Sequence, residues 1–238
     1  MAYNFGPKIV SDGLVMYYDS DNLLSLSSEA FPTTWRDIST SKNSIPTTNP
    51  TLTTSFGNPA DPFRYFSFSS APQPYLITPT TTSNLNVGSA GAVTIEITML
   101  YPSTTAGLQN IFSYGGSYGI GIIGNQLAVS TGTGGTSMGF NVQTGIWHHI
   151  VLTYNPGGGS VYIDGVFQGF HDNFTTTNTH SGHAIATGTS NGSTTSNSYF
   201  YTGNLSMIRV YNRELSINEV KNNQKIISKL YSAEGFPN

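Results

Sequence analysis

The chain contains no cysteine. Disulfides, cysteine-ligated zinc and thiol nucleophiles are therefore excluded. Charge is nearly as scarce. Asp, Glu, Lys and Arg make up 9% of the 238 residues, against roughly 25% in an average soluble domain. The formal net charge is -3, and there is no basic run of the kind that binds nucleic acid or a membrane surface. No apolar run approaches the ~20 residues of a membrane span. The opening MAYNFGPKIV lacks the basic start and apolar core of a secretory signal. No nucleic acid, no membrane insertion and no signal peptide are expected. The absence of a fixed-period repeat argues against propellers and solenoids.

Neutral polar residues fill the gap, with 26 glycines, and aromatics reach 12%, including 14 Tyr. Low net charge with many aromatics indicates a folded chain, and the length suits one large β domain. Residues 1–10 read as a partner-anchoring arm, because Tyr3, Phe5 and Pro7 make it aromatic and Gly-Pro interrupted. Residues 11–238 read as one sandwich domain with long polar loops at 19–62 and 171–198.

Alternation at Val93–Met99 predicts a strand with Val93, Ile95, Ile97 and Met99 on one face and Thr94, Glu96 and Thr98 on the other. Further strands are predicted at 14–18, 63–68, 75–78, 111–114, 118–123, 126–131, 137–142, 146–154, 160–163, 166–169, 199–201 and 205–211. Asn155–Gly159 reads as a loop, and Trp35–Ile38 as a short ordered turn. Asp164-Gly165 between two β-rich runs is a strong hairpin signal, since a type I′ turn needs positive φ at both central residues. That register pairs Ile163 with Val166 and Tyr162 with Phe167. Ser216-Ile-Asn-Glu219 fits a capping box. The helix it opens has Ile217, Val220, Ile227 and Leu230 as its apolar side and Lys221, Lys225 and Lys229 on another. Many strands and one helix indicate an all-β sandwich.

Three segments together resemble the laminin-G-like group of the concanavalin A-like lectin/glucanase superfamily. They are Gly145–Tyr154 with Val161–Gly165, Gly203–Ser216 leading into Glu219-Val220, and Asp12–Asp19 with Trp35-Arg36-Asp37. The resemblance implies an antiparallel jelly-roll β-sandwich with one short C-terminal helix. Related domains often carry an acidic pair where this chain has Ser206 and Met207. The opening Gly6–Val10 followed by Asp12–Val15 is similar to structural proteins of tailed bacteriophages that carry this domain. That similarity implies a virion-surface component, in capsid decoration or a fibre, whose partners are other virion or capsid proteins and host-surface glycans. Homo-oligomerisation stays open.

The glucanase branch of the superfamily uses E-x-D-x-x-E or E-x-D-x-E, and retaining hydrolysis needs two carboxyl groups about 5–5.5 Å apart. Only Glu96 sits mid-strand, with no carboxylate two or four residues away, so no catalytic residue is assigned and the chain is read as a non-enzyme. Its expected role is adhesion, the rival readings being a dedicated lectin module and a purely structural decoration. His148 and His149 point to opposite faces of their strand and cannot converge on one metal. A neutral His148 with a backbone partner is expected. His180 and His183 with His171 and Asp172 have ligand-like spacing in a polar loop, but no metal is assigned. Calcium, through Asp172-Asn173, is the cofactor left open. Tyr114, Tyr118 and Tyr199, near loop-rich strand ends, are the candidate ligand-stacking aromatics, with Asp172 and Asn173 beside them.

Overall fold

A computed structural model describes residues 8–26, 34–46, 64–68, 75–77, 85, 91–102, 105–114, 118–130, 135–156, 158–171, 182–187 and 199–230. Two antiparallel sheets carry the fold. The first contains β1 (Leu14–Asp19), β4 (Phe66–Phe68), β6 (Val93–Leu100), β11 (Trp147–Asn155), β12 (Gly158–Ile163), β13 (Val166–His171) and β15 (Gly203–Tyr211). Its order is β1-β15-β6-β11-β12-β13, with β4 also on β15. The second contains β5 (Leu76–Ile77), β7 (Thr105–Tyr114), β8 (Tyr118–Gly124), β9 (Gln126–Ser130), β10 (Gly135–Asn141) and β14 (His183–Ile185), in the order β10-β9-β8-β7-β14-β5. A small ribbon pairs β2 (Thr34–Trp35) with β3 (Ile45–Pro46). The helix α1 (Ile217–Leu230) follows β15. No described helix is long and apolar enough to cross a membrane.

Alternation decides which side of each strand is buried between the sheets. Ile95, Ile97, Ile150 and Leu152 of the first sheet meet Phe112, Ile120, Leu127 and Val129 of the second in one apolar core. The Asp164-Gly165 turn has φ of 52° and 74°, and the hairpin pairs Ile163 with Val166 and Tyr162 with Phe167, as the sequence predicts. Asn155 pairs with Gly158, so β11 and β12 run into the glycine segment that alternation alone assigns to a loop. The strand β14 was also not anticipated, because three residues in a polar segment carry no periodic signal. Phe200, expected in a strand, makes only an isolated bridge to Asn110. The Trp35–Ile38 turn is held by Asp37, whose carboxylate accepts from the amides of Tyr17, Ser39 and Asn43.

The other face of the first sheet is covered by α1. Ser216 and Glu219 close the expected capping box, with Ser216 N–H donating to Glu219 Oε2 at 2.8 Å. The buried stripe of the helix is Val220, Asn223, Gln224 and Ile227, while Ile217 and Leu230 are exposed. This corrects the apolar side expected from the sequence. The spacing is helical, but two of the four inward residues are amides.

Those amides face charge. Glu96 is fully buried beneath the helix. Its carboxylate receives His149 Nε2 at 2.7 Å, Arg209 Nη1 at 3.2 Å, the Tyr211 hydroxyl at 3.3 Å and Asn223 Nδ2 at 3.3 Å. Arg209 continues the network to the Tyr17 hydroxyl at 3.0 Å, which donates to Asp19 at 2.8 Å. Burial alone pushes Glu96 up, but Arg209 and His149 hold it well below the usual carboxylate range, at about 2. Among the described residues His149 Nδ1 has no partner, and Nε2 is the ring nitrogen that faces Glu96. Strand β11 thus sends His149 under the helix and His148 to the opposite side. There both His148 nitrogens face acceptors, Asp164 Oδ2 at 2.7 Å and Gln143 O at 3.0 Å. The backbone partner is the expected one, and the Asp164 carboxylate is a second that the sequence did not indicate. The carboxylate pins the start of β11 to the β12–β13 turn.

His183 is buried in β14, with Nε2 2.9 Å from the Tyr18 hydroxyl. His171 lies in the other sheet, with Nε2 3.2 Å from the Thr153 carbonyl. The two are strand residues with separate partners, which corrects the loop reading. Asp172 and His180 lie outside the described residues, and no described group of three or more His, Cys, Asp or Glu is placed to hold a metal.

Two predictions follow from these buried groups. Glu96→Gln should cost about 3–5 kcal/mol of stability, because Arg209 is left as an uncompensated buried charge. Urea denaturation measures it, and a loss below about 1 kcal/mol would mean that the network contributes no more than a surface pair. Burial pushes His183 down from 6.5 to about 3. Between those values the unfolded chain binds a proton that the folded chain does not, so this group's contribution to stability falls as pH drops from about 6.5. The stability gap between the wild type and His183→Gln should therefore narrow on acidification towards pH ~5. A gap independent of pH would contradict the assignment. Glu96 does not confound this window, since its contribution is lost only as pH falls from 4.5 towards about 2.

Candidate functional site

A concavity of about 400 Å³ opens on the outer face of the first sheet. Its construction begins with a cross-strand row. Thr94 pairs with Thr153, Thr153 with Ser160 and Ser160 with Phe170, so four adjacent strands contribute one residue each. Residues in such a row lie on the same face. Two members, Ser160 and Phe170, line the concavity, together with Asn155, His171 and Glu214.

Glycine at the floor leaves room for the His171 ring. Gly158 and Gly159 also line the cleft. A Cβ on Gly159 would come 2.1 Å from the Thr153 carbonyl oxygen and 2.4 Å from His171 Nε2. No side chain fits there.

Glu214 arrives from the loop between β15 and α1, and Thr94 holds that loop from below. Its hydroxyl donates to Arg213 O at 2.8 Å and accepts from Leu215 N–H at 3.0 Å. With its neighbours on both sides fixed, Glu214 lies over the end of the sheet. Oε1 accepts from the Thr153 hydroxyl at 3.3 Å and Oε2 from the Asn155 amide. The adjacent Arg213 is engaged elsewhere, with Asp12 at 2.9 Å and Glu219 at 2.6 Å.

The apolar wall is Phe170, 79% exposed. Simple alternation would put Phe167 and Phe170 on opposite faces. The ladder between β12 and β13 shifts register at Val161/Tyr162, where Gly169 and Phe167 pair with consecutive residues and Gln168 is the extra one. This bulge returns both rings to one side. They meet edge to face with centroids 4.9 Å apart, and Phe167 in turn lies 5.6 Å from Tyr162. An aromatic row therefore runs from beneath α1 to the open sheet edge.

The sequence-predicted candidates lie elsewhere. Tyr114 and Tyr118 are 2% and 1% exposed and belong to the core between the sheets, their rings 5.3 Å apart. Neither is presented to solvent, so both stacking assignments are corrected. Tyr199 is partly exposed, with φ of 60°, and is not part of the cleft. Asp172 and Asn173 lie outside the described residues, as do Tyr3, Phe5 and Pro7 of the expected arm. Of residues 1–10 the described part is 8–10, which is tied to α1 through Val10 N–H on Asn223 Oδ1 and Asn222 Nδ2 on Lys8 O.

Comparison with known proteins decides the family. A laminin-G model described as the concanavalin A-like lectin/glucanases superfamily matches residues 73–221. The chain belongs to this superfamily. No curated protein matches the sequence. Among solved structures, a sialidase from Trypanosoma rangeli in complex with the inhibitor DANA is similar, with 16% identity and a TM-score of 0.60, over 91% of this chain and 33% of that one. The binding domain of botulinum neurotoxin serotype G is similar too, with 13% identity and a TM-score of 0.65, over 90% of this chain and 51% of that one. The superfamily member thus spans about a third of the sialidase chain and half of the neurotoxin chain. At these identities the likeness is one of fold.

The Thr94 clamp yields a third prediction. Thr94→Val keeps the shape but leaves the Leu215 N–H without its acceptor, at a cost of about 1–3 kcal/mol. It should also raise exchange of the Leu215 amide in native-state hydrogen exchange. Unchanged protection there would show that Glu214 is held by something else.

Proposed function

We propose that this superfamily member is a non-enzymatic carbohydrate-binding and adhesion protein, and that the cleft of Phe170, Ser160, Asn155 and Glu214 is its sugar site. One observation carries the reading: a phenyl ring 79% exposed stands beside three polar side chains at a glycine floor. Sugars present an apolar C–H face and a rim of hydroxyls. An exposed ring takes the first, and amide, hydroxyl and carboxylate groups take the second. A concavity with an apolar wall and a few convergent polar groups is the usual form of a small-molecule site. The similar folds include a sialidase seen with sialic acid and a neurotoxin receptor-binding domain, which supports glycan recognition at the level of fold.

Binding without hydrolysis is favoured by the carboxylates. Among the described residues Glu214 is the single acid lining the cleft, whereas a glycosidase of the usual kind needs two. Glu96 is sealed under α1 with four donors on its oxygens.

The setting proposed is a virion surface, in capsid decoration or a fibre, with other particle proteins as partners. It rests on the resemblance, read from the sequence alone, of Gly6–Val10 and Asp12–Val15 to phage structural proteins that carry this domain. Labelling of purified particles with an antibody to the chain tests it, and unlabelled particles would set it aside.

The sugar reading is tested by titrating the purified protein against a glycan panel. Phe170→Ala should weaken binding at least tenfold, about 1.4 kcal/mol, while changing stability by no more than about 0.5 kcal/mol, as expected of an exposed side chain. Saturable binding that survives Phe170→Ala would place the sugar elsewhere.

A further inference from the structure

We infer that the cleft selects neutral pyranosides and discriminates against sialylated and other anionic glycans. This rests on the proposal that the cleft is the sugar site, and concerns which sugar it takes. The charges around the cleft carry it. Among the described residues no lysine or arginine lines the concavity, and the one carboxylate there is that of Glu214. The nearest cation in sequence, Arg213, has its guanidinium on the carboxylates of Asp12 and Glu219. A side-chain nitrogen at the rim, His171 Nε2, faces the Thr153 carbonyl oxygen at 3.2 Å.

A sugar carboxylate or sulfate brought into this space would meet a like charge, with no cation among the described residues to offset it. Partly excluded from water, that repulsion is stronger than at an open surface. Neutral hydroxyls suit the same groups. Glu214 already accepts from Thr153 and Asn155, and a carboxylate has about four lone-pair directions. Two therefore remain for sugar O–H donors. Ser160 lies on the same rim, and Phe170 supplies the stacking wall. The chain is similar in fold to about a third of a sialidase seen with sialic acid, and the charge of this cleft points to a different ligand class.

Methyl β-galactoside, methyl α-glucoside and 3′-sialyllactose are the probes, titrated by ligand-observed NMR into the wild type, Phe170→Ala and Glu214→Lys. The expected result is binding of at least one neutral glycoside, lost in Phe170→Ala and unchanged between about 0.05 and 0.5 M salt, where charged contacts are screened. Sialyllactose should bind at least tenfold more weakly, and Glu214→Lys should narrow that difference. Phe170→Ala alters an exposed ring, so the selectivity remains testable should the lysine variant fail to fold. Tighter binding of sialyllactose through Phe170 would overturn the selectivity and keep the sugar site. Absence of binding by every probe would overturn both. Neutral binding indifferent to Phe170→Ala would move the site and remove the basis of the inference.

Discussion

The buried Glu96 carboxylate is the constraint on which the rest of the outer face depends. A charge taken fully out of water costs several kcal/mol unless partners replace its hydration. Here they come from three elements: His149 on β11, Arg209 and Tyr211 on β15, and Asn223 on α1. Tyr17 on β1 is joined through Arg209, whose guanidinium also lies 4.4 Å from the Tyr17 ring centroid. Three neighbouring strands and the helix must be in register for the carboxylate to be satisfied. A one-residue slip would turn Glu96 into the apolar core. The network thus specifies where α1 lies, beyond what the apolar contacts of Val220 and Ile227 alone require.

Helix position decides where the cleft is. The capping box of Ser216 and Glu219 fixes the start of α1, and Thr94 grips the chain immediately before it. Thr94 and Glu96 point to the same side of β6, so one strand both anchors the helix and holds the loop that delivers Glu214. On the other side of the cleft, Gly159 and the β13 bulge admit His171 and Phe170. The site is a product of sheet register and one helix cap. Such rigid supports keep binding groups in place at little entropic cost on binding.

Local pattern made much of the fold legible. The alternation of Val93–Met99 and Trp147–Tyr154, the Asp164-Gly165 turn and the capping box are short-range signals, and each appears in the structure where expected. The site was not legible, for reasons that are also local. Phe170 lies one residue beyond the strand predicted from Val166–Gly169, and only the bulge at Gln168 shows that it shares a face with Phe167. Glu96 and Arg209 are 113 residues apart, and no periodicity pairs β6 with β15. Asn223 and Gln224 occupy inward helical positions that an apolar count passes over. Tyr114 and Tyr118 bracket a loop in the sequence, yet their rings are drawn into the core by β7–β8 pairing. An amphipathic Tyr gives no sign of which end it buries.

The measurement that bears most directly on the account is a map of amide chemical-shift changes as a neutral glycoside is titrated into the isotope-labelled protein. The account predicts that the largest changes cluster at Asn155, Gly159, Ser160, Phe170 and Glu214, with Glu96 and its partners undisturbed. Changes confined to the outer face of the second sheet, or spread evenly over the molecule, would contradict it.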